Sequence, residues 1–176
     1  MCMRSVLLGT VLGLFGGATT VHADESPRLG ESLDEAATAT FDFVVLPDGE
    51  GLPAGSGDAI SGGQLYDSNC LACHGIEGAG GINDVLVGGH GTLTGNLPNK
   101  TVGSYWPYAT TLFDYIRRAM PYPEPGSLSN DEVYSLTAYL LFLNGIVGEE
   151  DIMSAESLPK VEMPNRDNFV WAYRPD

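Results

Sequence analysis

The chain is poor in three things. Of its 176 residues only 8 are basic, against 23 acidic, giving a formal net charge of −15 and a pI of about 4.2. A surface of that sign repels a phosphate backbone, which excludes ordinary nucleic-acid binding. Cysteine is also scarce, at 3 residues, so no multi-bridge disulfide scaffold is available. Long apolar runs are missing too: the longest uncharged apolar stretch, residues 6–18, is too short to span a bilayer comfortably. What remains is a chain that is 43% hydrophobic, with 16 aromatic side chains (Phe 6, Tyr 8, Trp 2), enough for a core. Its 23 glycines and 11 prolines predict long irregular segments between helices. The length suits one domain with extensions.

Residues 1–23 read as a secretory signal peptide. Arg4 gives the positive start, residues 6–18 the apolar middle, and Val21-His22-Ala23 the small residues at a cleavage point. A retained membrane anchor is the alternative, disfavoured by the short apolar run. Cleavage implies an exported protein with no membrane span after processing. It also removes Cys2 and His22, leaving two cysteines and two histidines in a mature chain more acidic still.

Both remaining cysteines fall in Cys70-Leu71-Ala72-Cys73-His74, the C-x-x-C-H pattern of covalent c-type haem attachment. Two thiols three residues apart share one face of a helical turn, within reach of both vinyl groups of a haem. The adjacent His74 then offers its imidazole to the iron as proximal ligand. A thioredoxin-like dithiol would need a βαβ context that is lacking, and a zinc site would need a fourth ligand that only His90 could supply. The eight glycines in residues 75–95 let the backbone wrap closely around a flat cofactor, although a merely flexible loop explains them as well.

The distal ligand is sought among methionines, whose thioether sulfur favours ferrous iron. Met120 closes the helix-like run 110–119, stands before Pro121, and is the leading candidate, with His90 the nitrogen alternative. Met153 and Met163 read as packing residues.

A short helix over residues 58–66, started by Asp58 or Ser61, carries Gly62 and Gly63, which allow close crossing by another helix. The partner is expected after Ser129, where Ser129 and Glu132 form a capping box. There Val133, Leu136, Leu140 and Leu143 recur at helical spacing until Asn144-Gly145. Tyr139 is the candidate to lie across the glycines. The expected organisation is an arm over 24–57, a monohaem all-α domain over 58–148 and an irregular tail over 149–176. Residues 40–46 alternate enough for a short strand or an extended docking arm. Phe169, Trp171 and Tyr173 in the tail either fold back or anchor a partner, folding back being commoner. Tyr105, Trp106 and Arg118 are candidates to contact haem propionates. Core packing of the two aromatics, and a solvated helix-end position for Arg117-Arg118, compete with that role.

Residues 102–121, 130–140 and 163–168 resemble the cytochrome c subunit of sulfane and sulfite dehydrogenases, the SoxD-type cytochromes of sulfur-oxidising systems. The likeness runs from about Phe41-Asp42 to Asn168. It implies a class I cytochrome c fold and a periplasmic place. The implied partner is a molybdopterin-containing dehydrogenase subunit that hands over electrons, with a further cytochrome c or another acceptor downstream. It implies Cys70 and Cys73 as the haem anchors and His74 and Met120 as axial ligands, with no catalytic residue in this chain. Two departures stand out. Ile82 occupies the place where many such proteins have a proline beside the proximal histidine, though a backbone carbonyl there can still accept the His74 Nδ1–H. And no second C-x-x-C-H is present, so roles tied to a second haem do not transfer. A general cytochrome for another periplasmic dehydrogenase, and a ligand-binding haem protein with an open distal position, are the rival functions. The acidic surface would steer encounter with basic partner faces, at rates that fall as salt rises.

Overall fold

The computed structural model describes residues 30, 32–39, 41 and 43–170. The expected signal peptide and the aromatic pair Trp171 and Tyr173 lie outside the described residues. The chain divides into two compact units, Met1–Thr40 and Phe41–Asp176. In the first, α1 is a short helix, Glu35–Ala39, whose start is tied by Asp34 Oδ1 accepting the Ala37 N–H at 2.7 Å.

In the second unit the helices are α2 (Ala59–Asn69), α3 (Leu71–His74), α4 (Ala109–Ala119) and α5 (Asn130–Leu143), with single 3-10 turns at Ile76–Gly78, Leu158–Lys160 and Arg166–Asn168. Asp58 caps α2, its carboxylate accepting the Ser61 N–H at 2.8 Å. The helix α5 starts on the expected capping box. Ser129 Oγ accepts the Glu132 N–H at 3.4 Å, and Glu132 Oε2 accepts the Ser129 N–H at 2.8 Å. These hydrogen bonds hold the Glu132 carboxyl below its ordinary 4.5. A depressed folded-state pKa means the stabilisation is full above the unfolded value and is lost as pH falls through the folded one. Ser129→Ala is therefore expected to cost about 1 kcal/mol in urea unfolding at pH 7, and clearly less once the pH has fallen through the lowered Glu132 value, where the wild type has lost the box's charge as well.

The helix α5 is the centre of the core. Val133, Tyr134, Leu136, Ala138 and Leu141 are buried, and only a central helix has so little polar face. The helix α2 crosses it at the expected glycine. A Cβ on Gly62 would fall inside contact distance of the Ser135 carbonyl oxygen and 2.7 Å from Tyr139 Cβ. The Tyr66 and Tyr139 rings meet beside this crossing at 5.4 Å between centroids. On the other flank α4 packs through Phe113, whose ring lies 4.4 Å from that of Tyr134.

The sequence-drawn limits 58–148 are narrower than the compact unit. Residues 43–46 make no strand: the Val45 side chain is buried and its N–H is donated to Asp114 Oδ1 at 3.2 Å, a contact with helix α4 rather than a ladder. Among the described residues the β structure is one antiparallel pair, β1 (Ser56–Gly57) with β2 (Met153–Ser154), in register Ser56 to Ser154. Met153 of β2, and Leu158 and Met163 beyond it, are buried in the same core, so the first part of the tail completes the domain. Phe169 folds back with its ring 5.5 Å from that of Tyr105.

Candidate haem site

Helix α2 ends at Cys70, whose N–H is donated to the Tyr66 carbonyl at 2.8 Å, and α3 begins on the same residue. The Cys73 and His74 amides both return to the Cys70 carbonyl, at 3.1 and 2.9 Å. One turn thus carries both thiols and the imidazole, as the spacing predicts. The cysteines are free and half-buried. Burial, with the neighbouring Cys73 thiol adding to it, pushes the Cys70 thiol up to about 11, so at neutral pH it stays protonated and a poor nucleophile for disulfide exchange.

The chain after His74 folds back on this turn. Gly75 (φ +76°) makes the reversal, in a conformation costly for any side chain, and a Cβ there would overlap the Gly80 carbonyl. The Gly80 N–H reaches the His74 carbonyl at 2.8 Å and the Asn83 N–H the Cys73 carbonyl at 2.9 Å. From inside the core, the Tyr66 hydroxyl donates to the Gly75 carbonyl at 2.8 Å. Burial raises that hydroxyl to about 12, so it remains a donor throughout the physiological range. The result is at the imidazole: His74 Nδ1 lies 2.9 Å from the Asp84 carbonyl oxygen. A carbonyl only accepts, so Nδ1 carries the proton and Nε2 keeps its lone pair free for a metal. Ile82 in place of proline has therefore not cost the contact; the acceptor comes two residues later.

Met120 caps the end of α4 in extended conformation, its N–H on the Ile116 carbonyl at 3.0 Å. Its side chain is half-buried against the core, as are Leu71, Leu86 and Trp106. Met153 and Met163 are in the core, 4% and 3% exposed, and His90 is exposed. Of the propionate candidates, Tyr105 lies in the wall of a cavity of about 540 Å³ with His90, Leu93, Asn165 and Phe169, and Lys100 sits 4.8 Å over its ring. Trp106 packs edge-on to Tyr115 at 5.6 Å. Arg118 forms an ion pair with Asp114 one turn back, and Arg117 stacks over Phe43 at 5.7 Å.

The donor set fits a haem c: two free thiols on one turn, an imidazole with Nε2 bare, and a half-buried thioether beside apolar side chains. Two parts of the arrangement carry no sequence signal of their own. The Asp84 carbonyl is backbone, and the Tyr66 hydroxyl sits on a helix residue that no motif marks.

A protein-family model described as cytochrome c oxidase, cbb3-type, subunit III, matches residues 57–140. Among solved structures the chain is similar to that of the sulfane dehydrogenase SoxCD from Paracoccus pantotrophus, at 41% identity and a TM-score of 0.76, covering 82% of this chain and 72% of that one. No curated protein matches the chain.

Proposed function

This chain belongs to the SoxD-type cytochromes c, class I in fold, and on that premise we propose that it is the monohaem electron-transfer subunit of a periplasmic sulfur-compound dehydrogenase. A cytochrome c domain implies haem c and an electron-transfer role. In the proposal Cys70 and Cys73 would hold one haem covalently, and His74 and Met120 would ligate its iron. When bound, the haem supplies a one-electron ferric–ferrous couple. The chain's own residues hold the couple's surroundings still. The His74 ring is fixed in orientation and tautomer by the Asp84 carbonyl at 2.9 Å, and this is the observation that carries the reading. A soft Met120 sulfur on the iron would favour the ferrous form and raise the potential.

The electron donor is proposed to be a molybdopterin-containing subunit oxidising a sulfane or sulfite sulfur. The sulfane dehydrogenase likeness over most of the chain supports this. A downstream cytochrome c or other carrier takes the electron on. A leader at residues 1–23 and an acidic surface suit an exported protein that meets basic partner faces.

Native purification tests the proposal. A molybdopterin subunit is expected to co-purify, a sulfur substrate added to that complex is expected to reduce the haem, and the denatured chain is expected to keep its haem stain. A haem-staining chain that purifies alone and stays oxidised when substrate is added would sink the dehydrogenase assignment and leave the cytochrome intact.

A further inference from the structure

Asn144 is 5% exposed and its side-chain amide is fully engaged. Nδ2 donates to the Leu140 carbonyl at 2.8 Å, as a side chain closing a helix often does, and also to the Leu86 carbonyl at 3.3 Å. Oδ1 accepts the Gly88 N–H at 3.0 Å. One side chain at the end of α5 thus grips a loop 56–58 residues earlier in sequence at two points. The same short stretch is also held by residues 101 and 102. The Val102 N–H reaches the Leu86 carbonyl at 3.2 Å and the Thr101 hydroxyl the Gly88 carbonyl at 2.6 Å. Gly103 is packed on Asn144 so closely that a Cβ there would overlap Oδ1. A helix stop needs none of these loop contacts.

The gripped stretch begins two residues after Asp84, whose carbonyl accepts from His74 Nδ1. Asp84 itself is exposed. Its carbonyl is placed by its neighbours: the Asn83 N–H on Cys73 and the Leu86 N–H on the Gly78 carbonyl at 2.8 Å. Leu86 is thus the joint, its N–H on the turn after the haem motif and its carbonyl on Asn144. We propose that Asn144 is a positioning residue for the His74 imidazole, holding the loop that supplies the Asp84 carbonyl. Buried amides that satisfy several backbone groups at once are costly to leave half-paired, so removal releases the loop rather than one bond. The inference rests on His74 being an iron ligand only in its functional consequence; the hydrogen-bond chain stands on the geometry.

The test is NMR on the reduced, haem-loaded protein, following exchange of the His74 Nδ1 proton with solvent. In Asn144→Ala that proton is expected to exchange roughly 10-fold faster, while the amides of Val133 to Leu141 keep most of their protection. An unchanged His74 proton overturns the inference, and so does acceleration by the same factor across α5, which would mean general loosening. If Asn144→Ala does not fold, Thr101→Val cuts a second tie on the same stretch. It is then expected to give the same selective change in smaller measure, and an unchanged proton there counts equally against the role. A wild-type His74 ring without haem-shifted resonances would overturn the ligand assignment itself. A haem-shifted ring whose Nδ1 proton is indifferent to Asn144 overturns only the positioning role.

Discussion

Met120→Ala is expected to abolish the near-infrared sulfur-to-iron band of the ferric protein and to lower its reduction potential by on the order of 0.1–0.3 V, a fraction of the roughly 0.8 V that axial ligands span. A thioether stabilises ferrous iron more than ferric, so its loss favours the oxidised state. Alanine leaves the position open or water-filled, and either outcome moves the spectrum toward high spin and admits cyanide or CO. The other candidates are poorly placed to substitute. Met153 and Met163 are at 4% and 3% exposure inside the core, where leaving would open cavities, and His90 is exposed on a glycine loop. Met120 is already fixed from one side by its N–H on the Ile116 carbonyl, at the end of a helix with Leu112, Phe113 and Ile116 buried. Survival of the sulfur band in Met120→Ala would show that another methionine is the ligand and that this placement is wrong. Visible and near-infrared absorption with a redox titration decide it.

Gly62→Ala is expected to destabilise the holo-protein by about 2–4 kcal/mol, a large part of the 5–15 kcal/mol typical of a domain. Helix propensity alone predicts the opposite sign, since alanine is better than glycine by about 1 kcal/mol in a helix interior. Packing decides. The new Cβ would overlap the Ser135 carbonyl oxygen, which is backbone of the central helix and cannot rotate away, and would press on Tyr139 Cβ. Relief requires α2 and α5 to separate, which loosens the Tyr66–Tyr139 contact and the core beneath it. Gly63 is the control. A Cβ there would meet the Tyr139 ring at 3.2 Å, a contact a side chain can yield, so Gly63→Ala is expected near neutral. Equal urea midpoints for the two variants would remove the crossing as the reason for Gly62.

The parts legible in the sequence are those where a residue type is forced by local chemistry. The C-x-x-C-H turn, the Ser129–Glu132 capping box and the glycine crossing each depend on groups a few residues apart, and the structure places all three as expected. What was not legible depends on distance along the chain. The burial of Met153, Leu158 and Met163 follows no period of 2 or 3.6, because those residues lie in a two-residue strand, a 3-10 turn and a loop laid across the core. The alternation in residues 40–46 suggests a strand, but Val45 spends its N–H on the Asp114 carboxylate and no ladder forms. The acceptor for His74 is a carbonyl that any residue at position 84 would provide, so identity at that site says nothing about it.

The short ladder joining Ser56–Gly57 to Met153–Ser154 also has a consequence in time. It closes a loop of about a hundred residues, for an entropic cost near 4 kcal/mol on the logarithmic scaling of loop closure. Such a contact forms late, after the chain has supplied both ends. Until then Cys70, Cys73 and His74 belong to an unfinished domain. If the two thiols carry a haem as proposed, this late seam would leave their turn open to covalent loading before the domain closes.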